Sequence, residues 1–408
     1  MQLSNEIFFT KERLKQLYGE HSKMTFCDAI DALIKKSLLN AEEYELLQII
    51  TSDISYYPEF LRKSFFIYLS NGILLETDKN TLFKIKNQIL FELAIRYLEC
   101  SLGTKVNYFN EDKNLFSVCL NKSAGMKFYS VGKEDDKYVF YNGEDAVLRL
   151  RKNGSCAIDR DIDFLEDDRN PFNVNNDHPD AENFSAYDLG GIAKERWVEQ
   201  FRDAYGLIKK NVPEIYEDIY YFLDAIVPHG YVKGKQNSSS YSKSPGILYL
   251  SYTDSDAIQA EAIIHEAHHT IFNIINWKHG LLDNDMTLKY YSAYRPDARH
   301  MKGCLIGLHA FAAVQNFYCK LLENDHKFVE KFFFSYLKNE KAIGVIEKYA
   351  DFTETGRLLF QDIKIKHYND QAEFESLKKE HSEIYAKMEN TVNGHLEEAI
   401  KKNKVLLH

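Results

Sequence analysis

Apolar residues recur every three or four positions along residues 10–18, 26–37, 41–52 and 81–100, the spacing that places them on one face of a helix. Asn40 and Asp78 stand just before the last two stretches, where a short polar side chain can accept hydrogen bonds from a first turn. Between 103 and 166 the period changes. The runs 105–109, 116–120, 127–131, 138–141 and 146–151 are short and rich in β-branched and aromatic residues. Leu148-Arg149-Leu150-Arg151 alternates as a half-exposed strand does, and Asn142-Gly143 and Asn153-Gly154 are turn dipeptides. This stretch predicts an antiparallel sheet. Residues 159–185 are acidic and turn-rich and read as a linker. Their Asp run lacks the spacing of a calcium loop, and His178 within it reads as solvated.

Helical spacing returns at 193–210 and 213–226, the second opening on Pro213, where a helix tolerates proline. A Ser-rich loop at 238–244 and a buried strand at 245–252 follow. That strand is expected to form one wall of a substrate cleft. Asp254, Ser255 and Asp256 then suit a helix N-terminus, and Ile258, Ala262, Phe272 and Ile275 mark the helix they open. Residues 277–286 read as a loop, 302–322 as a strongly apolar helix, and 323–408 as further helices. The predicted fold class is α+β, mainly helical, with the metal-motif helix beside a neighbouring helix. Residues 1–180 form an N-terminal helical and antiparallel β region that could recognise a peptide, and 181–408 a metal domain.

Composition narrows the partners. The net charge is −10 and no Lys/Arg-rich block interrupts it, which argues against nucleic acid. The six cysteines contain no C-x-x-C and read as reduced core thiols of a cytoplasmic protein. No basic segment followed by an apolar run opens the chain, and no apolar run approaches membrane length. Neither a signal peptide nor a membrane span is expected.

The chemistry concentrates in residues 261–269, Glu-Ala-Ile-Ile-His-Glu-Ala-His-His. His265 and His269 lie four apart, one turn above the other, so two imidazoles can bind one divalent metal with Glu266 beside it as a proton acceptor. With 14 His and 61 acidic residues in 408, chance supplies such a motif only about 0.07 times. His268 reads as a neighbour of the site. A third ligand must come from elsewhere: His309 on the next helix is expected to supply it, with Asp297 and Glu354 as carboxylate candidates. Residues 290–299 pack Tyr290, Tyr291, Ser292, Tyr294, Arg295 and Arg299 into ten positions, a set suited to an anionic ligand.

These pieces together carry a resemblance. Residues 211–219, 245–251, 261–269, 290–299, 302–318 and 352–359 resemble the HExxH-motif domain of peptide-modification proteins found near ribosomally made, post-translationally modified peptides. The likeness spans 205–360, under half the chain, and where that family often has proline flanking the arginine loop this chain has Ala293 and His300. The resemblance implies an Fe(II)- and 2-oxoglutarate-dependent hydroxylase acting on the β-carbon of a residue in a precursor peptide. It also implies iron on His265, His269 and a third ligand, His309 or a carboxylate. Arg295 or Arg299 would then hold the far carboxylate of 2-oxoglutarate, with Tyr291 and Ser292 as further donors. From the residues alone two other readings stand. One is a zinc peptidase in which Glu266 takes the proton of the attacking water. The other is a binding protein with a structural metal, which needs a closed four-ligand site.

Overall fold

The structure is a computed structural model. It describes residues 11–36, 38–41, 43–44, 47–48, 64–76, 78–99, 105–110, 116–117, 122–123, 128–134, 137–142, 144–151, 157–159, 162–165, 187–323 and 325–403. It is mainly helical with a smaller content of strands, the α+β class expected. The turn at Asn153-Gly154, His178 and almost all of the expected linker lie outside the described residues.

The chain forms two compact units. The sheet unit comprises Tyr18–Arg202 and Leu223–Asp254, and the helical unit Met1–Leu17, Asp203–Phe222 and Ser255–His408. The division is therefore not one cut near residue 180, since the strand-bearing segment 223–254 is grouped with the N-terminal half.

In the sheet unit, the greater part of α1 (Lys11–Lys35), with α2 (Ser64–Leu75) and α3 (Lys79–Glu99), precedes the strands. The two expected caps are present. Asn40 Oδ1 accepts from Glu43 N at 2.8 Å while Glu43 Oε2 accepts from Asn40 N at 2.9 Å, a reciprocal capping box. Asp78 Oδ2 accepts from Thr81 N at 2.8 Å. Strands β1 (Lys105–Asn110), β4 (Phe128–Glu134), β5 (Lys137–Asn142) and β6 (Asp145–Arg151) form the antiparallel sheet predicted, in the order β1-β4-β5-β6. Phe91 of α3 packs against Phe128 and Phe140 of its strands. The short β2 (Phe116–Ser117) and β3 (Lys122–Ser123) pair with each other.

A second sheet departs from the expectation. Its order is β10-β11-β9-β8-β7, with β7 (Ala157–Asp159), β8 (Ile162–Phe164), β9 (Ala225–Pro228), β10 (Ser238–Ser240) and β11 (Ile247–Leu250). The helix expected through Ile226 stops at Phe222, because Ala225-Ile226-Val227-Pro228 pairs in parallel with both β8 and β11. Buried on both faces, β9 and β11 have the unbroken apolar sequence of central strands. Ser238–Ser240, expected as loop, pairs antiparallel with β11.

The helical unit holds the end of α4 (Lys194–Asn211), then α5 (Pro213–Phe222), α6 (Asp256–His279), α7 (Met301–Leu322), α8 (Val329–Tyr349), α9 (Glu354–Asn369), α10 (Gln371–Glu380) and α11 (Ser382–Asn403). α6 runs through His279, so the loop expected from 277 begins only at Gly280. α7 is the central element, packed on α6, α8 and α9. It is long and apolar enough to match a membrane segment by composition, but 61% of that window is buried inside the protein, which accounts for its hydropathy. Among the described residues Cys27, Cys304 and Cys319 are free thiols.

Candidate metal centre

Most of α6 is buried, and between its ends what reaches solvent follows one line: Ile258, Glu261, His265, His269, Asn273 and Asn276. The steps of three and four residues make this a single stripe, and both motif imidazoles stand on it. Their ring centroids are 4.4 Å apart. With the buried carboxylate of Glu266 they form a group whose ligand atoms all lie within 4.8 Å of one another. Burial, then the neighbouring imidazoles and Arg295, hold the pKa of His265 well below its ordinary value. The neutral ring that results is the form that donates to a metal. His265 Nδ1 is buried and makes no hydrogen bond. Two imidazoles, one carboxylate and an unsatisfied ring nitrogen fit a divalent transition metal, Fe(II) and Zn²⁺ alike. The other compact group among the described residues, His326, Glu380 and His381, is more exposed.

The expected third ligand, His309, is not drawn into this group. It sits against His268 (5.4 Å between ring centroids) and Phe272 (5.8 Å), with its Nδ1 3.1 Å from the His268 carbonyl oxygen. The residue of α7 that meets His265 is Phe311, at 4.5 Å. Helical phase is the cause. Two residues turn a helix by about 200°, so directing Phe311 toward His265 sends His309 to the flank of His268 and Phe272. His268, read from sequence as a neighbour, is buried, and its Nδ1 is 2.8 Å from the Ile264 carbonyl. Burial lowers its pKa to about 4.

Phe311 is held in turn. Tyr294 stacks on it at 4.4 Å and 12°. Gly307 makes room, since a Cβ there would come within 2.9 Å of the Tyr294 ring. The Tyr294 hydroxyl donates to Asn339 Oδ1 at 2.6 Å, and the Asn339 amide donates to Gln315 Oε1 (2.8 Å) and the Phe311 carbonyl (3.1 Å). Gln315 Nε2 then donates to Asp370 at 2.8 Å, and His367 Nδ1 meets Gln315 Oε1 at 2.7 Å. This chain joins α7, α8 and α9 beneath the aromatic pair. Asn339→Ala should leave a tyrosine hydroxyl and a glutamine amide short of partners. We expect a loss of roughly 2–4 kcal/mol in urea unfolding. A change within about 0.5 kcal/mol would mean that the chain does not fix Tyr294.

Residues 290–299 close on themselves. Tyr290 and Arg299 exchange backbone hydrogen bonds of 2.7 and 2.9 Å. Asp297 holds both arginines, 2.7 Å from Arg299 Nε and 3.7 Å from Arg295 Nε, and thus serves the loop instead of the metal group. Tyr291 and Ser292, expected as ligand donors, are buried. The Tyr291 hydroxyl lies 3.3 Å from His395 Nδ1 on α11, and burial pushes its pKa up to about 12. Glu354 opens α9 behind the capping residue Thr353 and is not part of the metal group.

Sequence reading missed Glu261 and Phe311, and it placed Tyr294 in the anionic-ligand set without foreseeing its stacking on Phe311. Glu261 is one turn before His265 on the same stripe, a signal the motif spacing already contained. It accepts hydrogen bonds from the Tyr318 hydroxyl and, at 3.3 Å, Lys331 Nζ. Comparison with family models and with curated proteins finds no match to this chain.

Proposed function

We propose that the chain is a non-haem Fe(II)- and 2-oxoglutarate-dependent oxygenase that hydroxylates the β-carbon of a residue in a ribosomally made precursor peptide, in the cytoplasm. The resemblance of residues 205–360 to the HExxH peptide-modification domain suggests the reaction. The observation that carries it to this site is the packing of the arginine loop on the motif: Tyr294, next to Arg295, stacks on Phe311, and Phe311 meets the His265 ring. A dianionic cosubstrate needs a cation beside the metal group, whereas a peptidase has no such general need.

His265 and His269 would hold the iron, and Glu266 is the carboxylate in the same compact group. When bound, iron with 2-oxoglutarate and O₂ supplies the oxidising power, one oxygen atom entering the peptide and the other leaving in succinate, with CO₂ released. The chain's own residues position the reactants. Arg295, with Arg299 steadied by Asp297, offers planar N–H donors to the 5-carboxylate, which would be costly to bury without a partner. Phe311, backed by the stacked Tyr294 ring, packs against His265 and keeps water from that side of its ring.

Arg295→Ala should raise the 2-oxoglutarate concentration for half-maximal succinate formation by more than about tenfold, the effect of losing a charge partner worth roughly 2–5 kcal/mol. An unchanged requirement would remove Arg295 from cosubstrate binding. A zinc peptidase is the second reading, favoured by Glu266, whose carboxylate lies in the same compact group as the two imidazoles and would take the proton of the attacking water. Metal analysis after anaerobic purification separates the two. Iron retained more tightly with 2-oxoglutarate supports the oxygenase, and zinc indifferent to 2-oxoglutarate supports the peptidase.

A further inference from the structure

A cavity of about 230 Å³ lies in the helical unit, walled by α5, α6, α7 and α9. It is separate from the His265–Glu266–His269 group and contains none of those side chains. His268 and His309 line it, with the aliphatic Ile271, Ile275 and Leu359. Glu214, Asp218 and Asp362 supply carboxylates, and Lys366, the lining cation, is paired with Asp362 at 2.9 Å. Among the described lining residues three carboxylates thus stand with one ammonium.

The two imidazoles are oriented by the backbone. His268 Nδ1 lies 2.8 Å from the Ile264 carbonyl, and His309 Nδ1 lies 3.1 Å from the His268 carbonyl. A carbonyl oxygen only accepts, so each ring keeps its proton on Nδ1 and offers the Nε2 lone pair. The cavity thus combines acceptor nitrogens, carboxylates and an aliphatic wall. A carboxylate ligand would meet acceptors and like charge. A bare metal ion would leave most of the volume unfilled. An apolar cavity of about 150 Å³ holds benzene, so this one has room for roughly nine non-hydrogen atoms.

We propose that this cavity binds a primary alkylammonium group: a cationic head with three N–H donors on an aliphatic chain. The head is met by the His268 and His309 Nε2 atoms and the carboxylates, and the chain by the isoleucines and Leu359. The source is a free aliphatic amine or a lysyl side chain. The site is independent of the oxygenase reading.

The test is calorimetry on the full chain at neutral pH with three six-carbon probes of different charge: hexylammonium, hexan-1-ol and hexanoate. Hexylammonium should bind at least about tenfold tighter than hexanoate. Asp218→Asn, nearly isosteric, and His309→Leu should each weaken it at least about fivefold, while His265→Ala leaves it unchanged. Ala313→Trp, which adds bulk at the cavity wall, should abolish binding with the thermal transition retained. Nα-acetyl-lysine N-methylamide binding tighter than hexylammonium assigns a lysyl side chain, and the reverse order a free amine. Equal affinity for all three probes, or preference for hexanoate, overturns the proposal. So does zinc that persists in His265→Ala/His269→Ala and is lost on His309→Leu, since the imidazole pair would then be a metal site.

Discussion

Protein carrying His265→Ala or His269→Ala is expected to retain less than about a tenth of the wild-type metal and to lose activity with it. Removing one of two imidazoles leaves too few donors, and substitutions merely beside a metal already cost 10–100-fold in affinity. Both rings stand on the solvent-reaching stripe of α6, so alanine there exposes no unpaired core group and the fold should survive. Far-ultraviolet circular dichroism checks the fold, and metal content after desalting checks the ligands. Glu266→Ala should follow the imidazole variants if Glu266 is the third donor. His309→Ala should keep most of the metal, because His309 sits with His268 and Phe272 outside the compact group. Full metal retention in His265→Ala would remove the centre from α6. Complete loss in His309→Ala would restore the ligand read from sequence.

The largest effect on stability is expected at Gly356. Its Cβ, if present, would lie 1.8 Å from the Leu281 carbonyl oxygen, a backbone atom that cannot swing aside. The approach is tight because the start of α9 docks on the loop after α6. Leu282 bridges Phe352, Thr353 N donates to the Leu281 carbonyl at 3.2 Å, and the Thr353 hydroxyl donates to Gly280 O at 2.8 Å. Thr353 also caps Gly356 N at 3.0 Å. Gly356→Ala must break this docking, and we expect a loss of more than about 3 kcal/mol in denaturant unfolding. Gly344 is the control. It lies within α8 with nothing within 4 Å of its Cβ position, so Gly344→Ala should be neutral or stabilise by roughly 0.5–1 kcal/mol. A Gly356→Ala protein as stable as wild type would mean that α9 is not held by this contact.

What could be read from the sequence was what is local in it. The caps Asn40 and Asp78, the antiparallel strands through Arg151 and the two imidazoles on one face of α6 each depend on a few neighbouring residues. The end of α5 was not legible. The run 223–228 is short and apolar, equally suited to a helix end and to a buried strand, and its pairing with β8 and β11 decides between them. Ser238–Ser240 becomes a strand only because β11 offers it an edge. His309 shows the same limit. The sequence placed it on the right helix, but which side of α7 faces His265 follows from Gly307 admitting the Tyr294 ring against Phe311. The chain Tyr294–Asn339–Gln315–His367 gathers residues from four separate segments, and no spacing in the sequence announces it.

The oxygenase reading is tested most directly by one assay. Purified protein is given Fe(II), O₂ and the precursor peptide, with and without 2-oxoglutarate, while succinate and peptide mass are followed together. Succinate should form in step with a peptide heavier by about one oxygen atom, both absent without 2-oxoglutarate. Peptide cleavage supported by zinc and indifferent to 2-oxoglutarate would contradict it.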